Sequence, residues 1–123
     1  MEKIILMLAV ILSLITVGCK KTVNATCSDS PKTLKMQNLK EFAVNCPANC
    51  GSASIWGTDS YTTDSSICLA AVHTGAIQKD KGGKVTVFII AGLPAYTGSE
   101  KNGVTTSSWN SYEASFTVKN SDK

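Results

Sequence analysis

The stretch Ile55–Gly75, IWGTDSYTTDSSICLAAVHTG, constrains the fold more tightly than any other part of the chain. Asp64, Ser65 and Ser66 carry side-chain oxygens that can accept the unpaired amides of a helix start, and Ile67, Ala70, Ala71 and Val72 follow at helical spacing. The pattern predicts a helix from about Ser65 to Thr74, with Asp64 as its cap and Gly75 as its stop. Leu69 and Val72 point away from the Ile67/Ala71 stripe, so apolar or small residues occupy most of the circumference. A helix that is apolar all round must be buried on all sides, and it therefore forms the centre of a domain.

The segments around it read as short strands. Phe42, Val44 and Cys46 alternate with Ala43 and Asn45 and predict a strand that ends at Pro47. Val85–Ala91, VTVFIIA, is β-branched and too short for a helix; it reads as a central strand buried on both faces. From Tyr96 to Trp109 the chain is rich in glycine, serine and threonine, with Asn102-Gly103 as a hairpin-turn signal. Ala114, Phe116 and Val118 alternate with Ser115 and Thr117 over Glu113–Lys119, a strand with one wet face. The expected fold is α+β, a single central buried helix wrapped by short antiparallel β-strands.

Residues 1–18 open with Lys3 and run apolar from Ile4 to Ile15, broken at Ser13, which is the core of a signal peptide and too short to remain as a membrane span. TVGC follows. A small residue before a cysteine at the end of such a core resembles the bacterial lipobox, in which the cysteine is acylated and becomes the mature N-terminus. That reading makes Cys19 a lipid attachment point, residues 19–26 a tether, 27–119 the folded domain and 120–123 a tail. Thr16 stands where leucine is usual, and plain secretion with cleavage after Ala25 is the alternative. Export would place the domain on the periplasmic or extracellular side of the cell envelope. About a hundred residues then remain to fold, a core small enough that cross-links are expected. Setting Cys19 aside leaves Cys27, Cys46, Cys50 and Cys68, an even set that reads as two disulfides with three pairings open. Zinc binding is disfavoured, because the close pair is CPANC rather than C-x-x-C and no second close pair exists. The 12 basic residues are all lysine. Without arginine, bidentate grip on phosphates and base edges is missing, which argues against nucleic-acid binding.

CPANC, IWGTDSYTTDSSICLAAVHTG, GGKVTVFI, YTGSEKNGVTTSSW and ASFTV, in this order and spacing, resemble the LCCL domain, named from Limulus factor C, cochlin and a late-gestation lung protein. The resemblance runs from Cys27 to about Val118. It implies a central helix wrapped by β-sheet and disulfides joining Cys27 to Cys46 and Cys50 to Cys68. Asn49 stands where glycine is common, and asparagine can adopt the left-handed backbone that position implies.

No catalytic constellation accompanies these motifs. His73, the only histidine, lies five residues from Cys68 and off its helical face; near a helix C-terminus its ring can meet free carbonyls. Ser65 and Ser66 lack the G-x-S-x-G setting that exposes a nucleophile. No enzyme, metal or cofactor is expected. Trp56 and Tyr61 flank the buried helix and read as core. Tyr96, Ser99, Asn102 and Trp109 border the glycine-rich hairpin, where flat rings beside short polar side chains suit a sugar or a lipid headgroup. The resemblance points the same way, toward lipopolysaccharide or another glycan or lipid. The expected function is a non-catalytic binding module held at the membrane by lipid on Cys19. A structural lipoprotein of the envelope with a protein partner is the alternative, favoured by any exposed apolar patch on Glu113–Lys119.

Overall fold

A computed structural model describes residues 22–122; Cys19 and the leader lie outside the described residues. The elements, in chain order, are β1 (Thr22–Asn24), β2 (Glu41–Cys46), β3 (Gly57–Thr58), β4 (Ser60–Thr62), α1 (Ile67–Thr74), β5 (Gly83–Ala91), β6 (Glu100–Lys101), β7 (Val104–Thr105) and β8 (Ala114–Asn120). Six strands form one sheet in the order β1-β2-β5-β8-β4-β3, and β6 and β7 form a separate hairpin. β1 runs parallel to β2, and every other pair of these strands is antiparallel. This is the expected α+β architecture, with the helix laid on one face of the sheet.

The helix starts two residues later than its polar prelude suggested. Ser66, not Asp64, is the cap: its extended backbone lets Oγ accept from the Leu69 amide at 3.1 Å, and its hydroxyl donates to the Cys27 carbonyl. One side chain thereby closes the helix and fixes the N-terminal segment. Ser65 turns the other way and accepts from the Trp56 amide at 2.9 Å. Gly75 ends the helix at φ 88°, where its amide and that of Ala76 return to Val72 and Ala71. Every residue from Ile67 to His73 is buried, as the missing charged face required.

The core lies between α1 and the inner face of the sheet, where Phe42, Val44, Val85, Val87, Phe116 and Val118 meet Ile67, Leu69, Ala70 and Ala71. Burying one such large side chain contributes roughly 1.5–3 kcal/mol. β5 is central, between β2 and β8, but only its inner face is buried. Val85 and Val87 are fully covered, Thr86 and Phe88 are half-buried, and Ile90 is exposed. The correction has a plain cause: one helix covers one side of the sheet, and the outer side is left to Lys119, whose ammonium lies 6.0 Å from the Phe88 ring. β8 departs from its alternation at Ser115, which points outward yet is buried because the Tyr96 hydroxyl sits on it at 2.6 Å.

Two further expectations need correction. The segment predicted as a tether up to Thr26 contains β1, whose Val23 pairs with Val44 at the sheet edge. The disulfides join Cys27 to Cys50 and Cys46 to Cys68, with Cα separations of 5.3 and 5.5 Å, rather than Cys27 to Cys46 and Cys50 to Cys68. Cys46 shares the inner face of β2 with Phe42 and Val44, which is the face the helix and Cys68 pack against. Cys50, carried round by a turn in which Asn49 has φ 63°, is left for Cys27. With the partners 23 and 22 positions apart in sequence, each bridge removes about 3 kcal/mol of chain entropy from the unfolded state. Two disulfides mark an oxidising, extracytoplasmic setting. No helix among the described residues is long and apolar enough to cross a membrane.

Candidate ligand-recognition surface

The hairpin predicted between Tyr96 and Trp109 is present, and its backbone is held at both ends. Tyr96 and Trp109 exchange two main-chain hydrogen bonds of 2.8 and 3.0 Å. At the tip, Asn102 (φ 52°) and Gly103 (φ 78°) supply the two positive φ angles that a tight primed turn needs. Beyond the β3 edge, Ser107 pairs with Trp56: the Gly57 amide donates to the Ser107 carbonyl at 3.0 Å and the Ser107 amide to Ile55 at 2.9 Å. The hairpin therefore continues the sheet at the edge farthest from β1.

Its attachment to the helix runs through His73. The ring is fully buried, with Nδ1 2.8 Å from the Tyr61 hydroxyl and Nε2 3.3 Å from the Ser99 carbonyl. A carbonyl only accepts, so Nε2 carries the proton and Nδ1 accepts from Tyr61. Burial pushes the Tyr61 phenol up to about 12, which keeps it a donor at any working pH. Burial also lowers the His73 pKa below its ordinary value, only partly opposed by the Ser99 carbonyl. Asn102 Nδ2 donates to the His73 main-chain carbonyl at 2.9 Å, closing one of the free carbonyls of the last helical turn. Lys101 meets Asp59 at 2.9 Å, and with Thr74 it holds that carboxyl below the usual range. His73 is therefore an internal brace. Its ring bonds sideways to Tyr61 and Ser99 rather than to helix-end carbonyls.

The four candidate binding residues occupy different environments. Trp109 is 49% exposed, with its ring 6.0 Å from that of Trp56 at an interplanar angle of 60°. Tyr96 is 4% exposed, and its hydroxyl is engaged by Ser115 and by the Leu93 amide, so it supports the hairpin from beneath. Ser99 is half-buried and its hydroxyl meets Thr58 Oγ1 at 2.5 Å. Asn102 is exposed and borders a shallow cleft of about 560 Å³ with Val72, Gly75, Gln78 and Lys79. Sequence reasoning put Trp56 in the core; it is half-buried and forms the second wall of the aromatic pair. It precedes β3 at the sheet's outer border, where its bridge to Ser107 leaves part of the ring uncovered. Among the described residues no group of three His, Cys, Asp or Glu side chains could hold a metal.

One helix on an antiparallel-rich sheet, two interleaved disulfides and a braced hairpin make this a small disulfide-stapled α+β domain. The LCCL domain family profile matches residues 17–116, and the chain belongs to that family. It is 44% identical to human vitrin over 80 residues, covering 63% of this chain and 12% of vitrin. It is 41% identical to human cysteine-rich secretory protein LCCL domain-containing 2 over 66 residues, covering 50% of this chain and 13% of that protein. Human cochlin is 39% identical over 77 residues, covering 61% of this chain and 14% of cochlin. The chain thus matches only about an eighth of the length of these relatives.

Proposed function

We propose that the chain is a non-catalytic binding module on the outer side of a membrane, tethered by lipid on Cys19, that recognises a glycan or the saccharide of a glycolipid such as lipopolysaccharide. The observation that carries the reading is Trp109, half exposed against Trp56 on a hairpin whose backbone is fixed from both sides. Aromatic rings offer a flat apolar face to the C–H face of a sugar ring and lose little side-chain entropy on binding. Ser107 and Ser108 lie beside the pair, and Ser108 Oγ already accepts the Gly98 amide at 2.9 Å. A rigid scaffold carrying exposed rings on a loop is the usual arrangement of a recognition surface. His73 takes no part in chemistry on this reading, since both ring nitrogens have internal partners.

The envelope-protein alternative would be favoured by an apolar patch on Glu113–Lys119. Phe116 and Val118 instead point into the core, and β8 contributes none of the exposed large apolar side chains among the described residues. The test is Trp109→Ala, assayed by calorimetry against lipopolysaccharide fragments and short glycans. Loss of binding with an unchanged melting temperature supports the reading; retained affinity removes the hairpin from it.

A further inference from the structure

The exposed large apolar side chains among the described residues are Leu39, Ile90, Leu93 and Trp109, and three of the four sit together at one end of the sheet. Leu39 directly precedes Lys40, whose carbonyl accepts the Ile89 amide at 2.9 Å, so the entry to β2 lies beside the exit of β5 and Ile90. Leu93 follows in the next turn, its carbonyl accepting from the Tyr112 amide at 3.2 Å. Isolated exposed apolar residues are ordinary, but three at one end form a patch. Lys32, Lys35 and Lys40 lie on the segment that crosses this end, with Lys32 Nζ 3.3 Å from the Tyr112 hydroxyl. The acidic side chains nearby are Glu41, Glu113 and Asp64, and Lys20 and Lys21 precede β1.

Strand direction connects this end to the anchor. β1 is parallel to β2, with Thr22 opposite Ala43 and Asn24 opposite Asn45. The chain therefore enters β1 from the Lys40–Glu41 end, the end that carries the patch. Cys19 is three residues before Thr22, and three residues reach at most roughly 10 Å. That reach ties a lipid on Cys19 to the start of β1, which opens toward the sheet end that carries Leu39 and Ile90.

We infer that this end of the domain is a membrane-docking face: Leu39, Ile90 and Leu93 enter the headgroup region of the bilayer that holds the anchor, and Lys32, Lys35 and Lys40 meet its anionic phosphates. The inference rests on the lipid tether of the proposed function and adds the orientation of the domain. Apolar protrusions ringed by lysine are the signature of an interfacial surface, and a basic patch beside an acyl chain is the second signal that makes anchoring stable. β1 and β3 are the two borders of the sheet, so the Trp56–Trp109 edge lies opposite the tethered β1 edge.

The experiment uses the full processed chain in vesicles of phosphatidylglycerol and phosphatidylethanolamine, with brief lysine acetylation read by mass spectrometry. Lys79 and Lys81, in the turn that leads into the opposite end of β5, serve as the internal reference. Lys32, Lys35 and Lys40 should react at least threefold more slowly on vesicles than in detergent, while Lys79 and Lys81 do not change. The variant Leu39→Ser/Ile90→Ser/Leu93→Ser, altered only at exposed positions, should lose that protection and keep its near-UV circular dichroism. Intact mass separates the two claims. A Cys19 without lipid overturns the tether and the docking face together; a lipidated chain with uniform lysine reactivity, or a triple variant that stays protected, overturns the docking face alone. Protection by native envelopes but not by vesicles overturns a lipid occupant in favour of a protein.

Discussion

Replacing Tyr61 by phenylalanine removes one oxygen from the brace between helix and hairpin, and the structure sets the size of the effect. Both rings are fully buried, so His73 Nδ1 would lose its donor where no water replaces it. An unsatisfied buried acceptor of this kind costs about 1–3 kcal/mol. The ring keeps its packing on Phe116, with centroids 5.6 Å apart, so only the volume of one oxygen is vacated. Unfolding entropy of about 2.1 cal/mol/K per residue, over a domain of about 100 residues, converts each kcal/mol into roughly 5 °C. Tyr61→Phe should therefore lower the melting temperature by about 5–15 °C, measured by calorimetry near pH 7.5 with both disulfides intact. A variant within about 1 °C of the parent would refute the argument that this hydroxyl satisfies His73.

Other consequences follow from the same contacts. Because burial lowers the folded-state pKa of His73 below 6.5, its neutral form contributes full stability above that pH and loses it as pH falls toward the folded value; chemical denaturation at a series of pH values should show stability dropping from about pH 6.5 downward, and a flat profile to pH 5 would contradict it. Tyr61 works in the opposite sense, since its pKa rises from 10.0 to about 12 and stability should fall as pH climbs through that interval. Ser66→Ala removes both the cap on Leu69 and the bond to Cys27, and a loss of about 1–2 kcal/mol is expected by denaturant titration. Gly92→Ala would drive a Cβ into the Tyr112 carbonyl, so the β5 exit must shift, and a clear drop in melting temperature is expected. Peptide mapping without reduction should recover Cys27 linked to Cys50 and Cys46 linked to Cys68; the pairs Cys27–Cys46 and Cys50–Cys68 would contradict the packing of β2 against α1.

The parts of this fold that follow from period were readable in the chain. An all-apolar helix with a glycine stop, an alternating strand before Pro47 and an Asn-Gly turn each carry their own local cause, and α1, β2 and the hairpin stand where those causes put them. What depended on which surfaces meet was less legible. Tyr96 and Trp109 have the same local setting, yet one lies under Ser115 and the other is exposed, because only the register of β8 decides which ring is covered. His73 was readable as buried from the helix around it. Its partners were not, since Tyr61 comes from β4 and Ser99 from a hairpin 26 residues on. The disulfide pairing was misassigned although the alternation of Phe42, Val44 and Cys46 already put Cys46 on the inner face, toward the helix that carries Cys68.

The most direct test of the central claim is an amide-shift titration of a chain beginning at Lys20 against lipopolysaccharide fragments, peptidoglycan fragments and short glycans. Shifts gathered on Trp56 and on Tyr96–Trp109 are the predicted result. No shift anywhere across the panel would contradict a saccharide-binding module and leave a protein of the envelope as its partner.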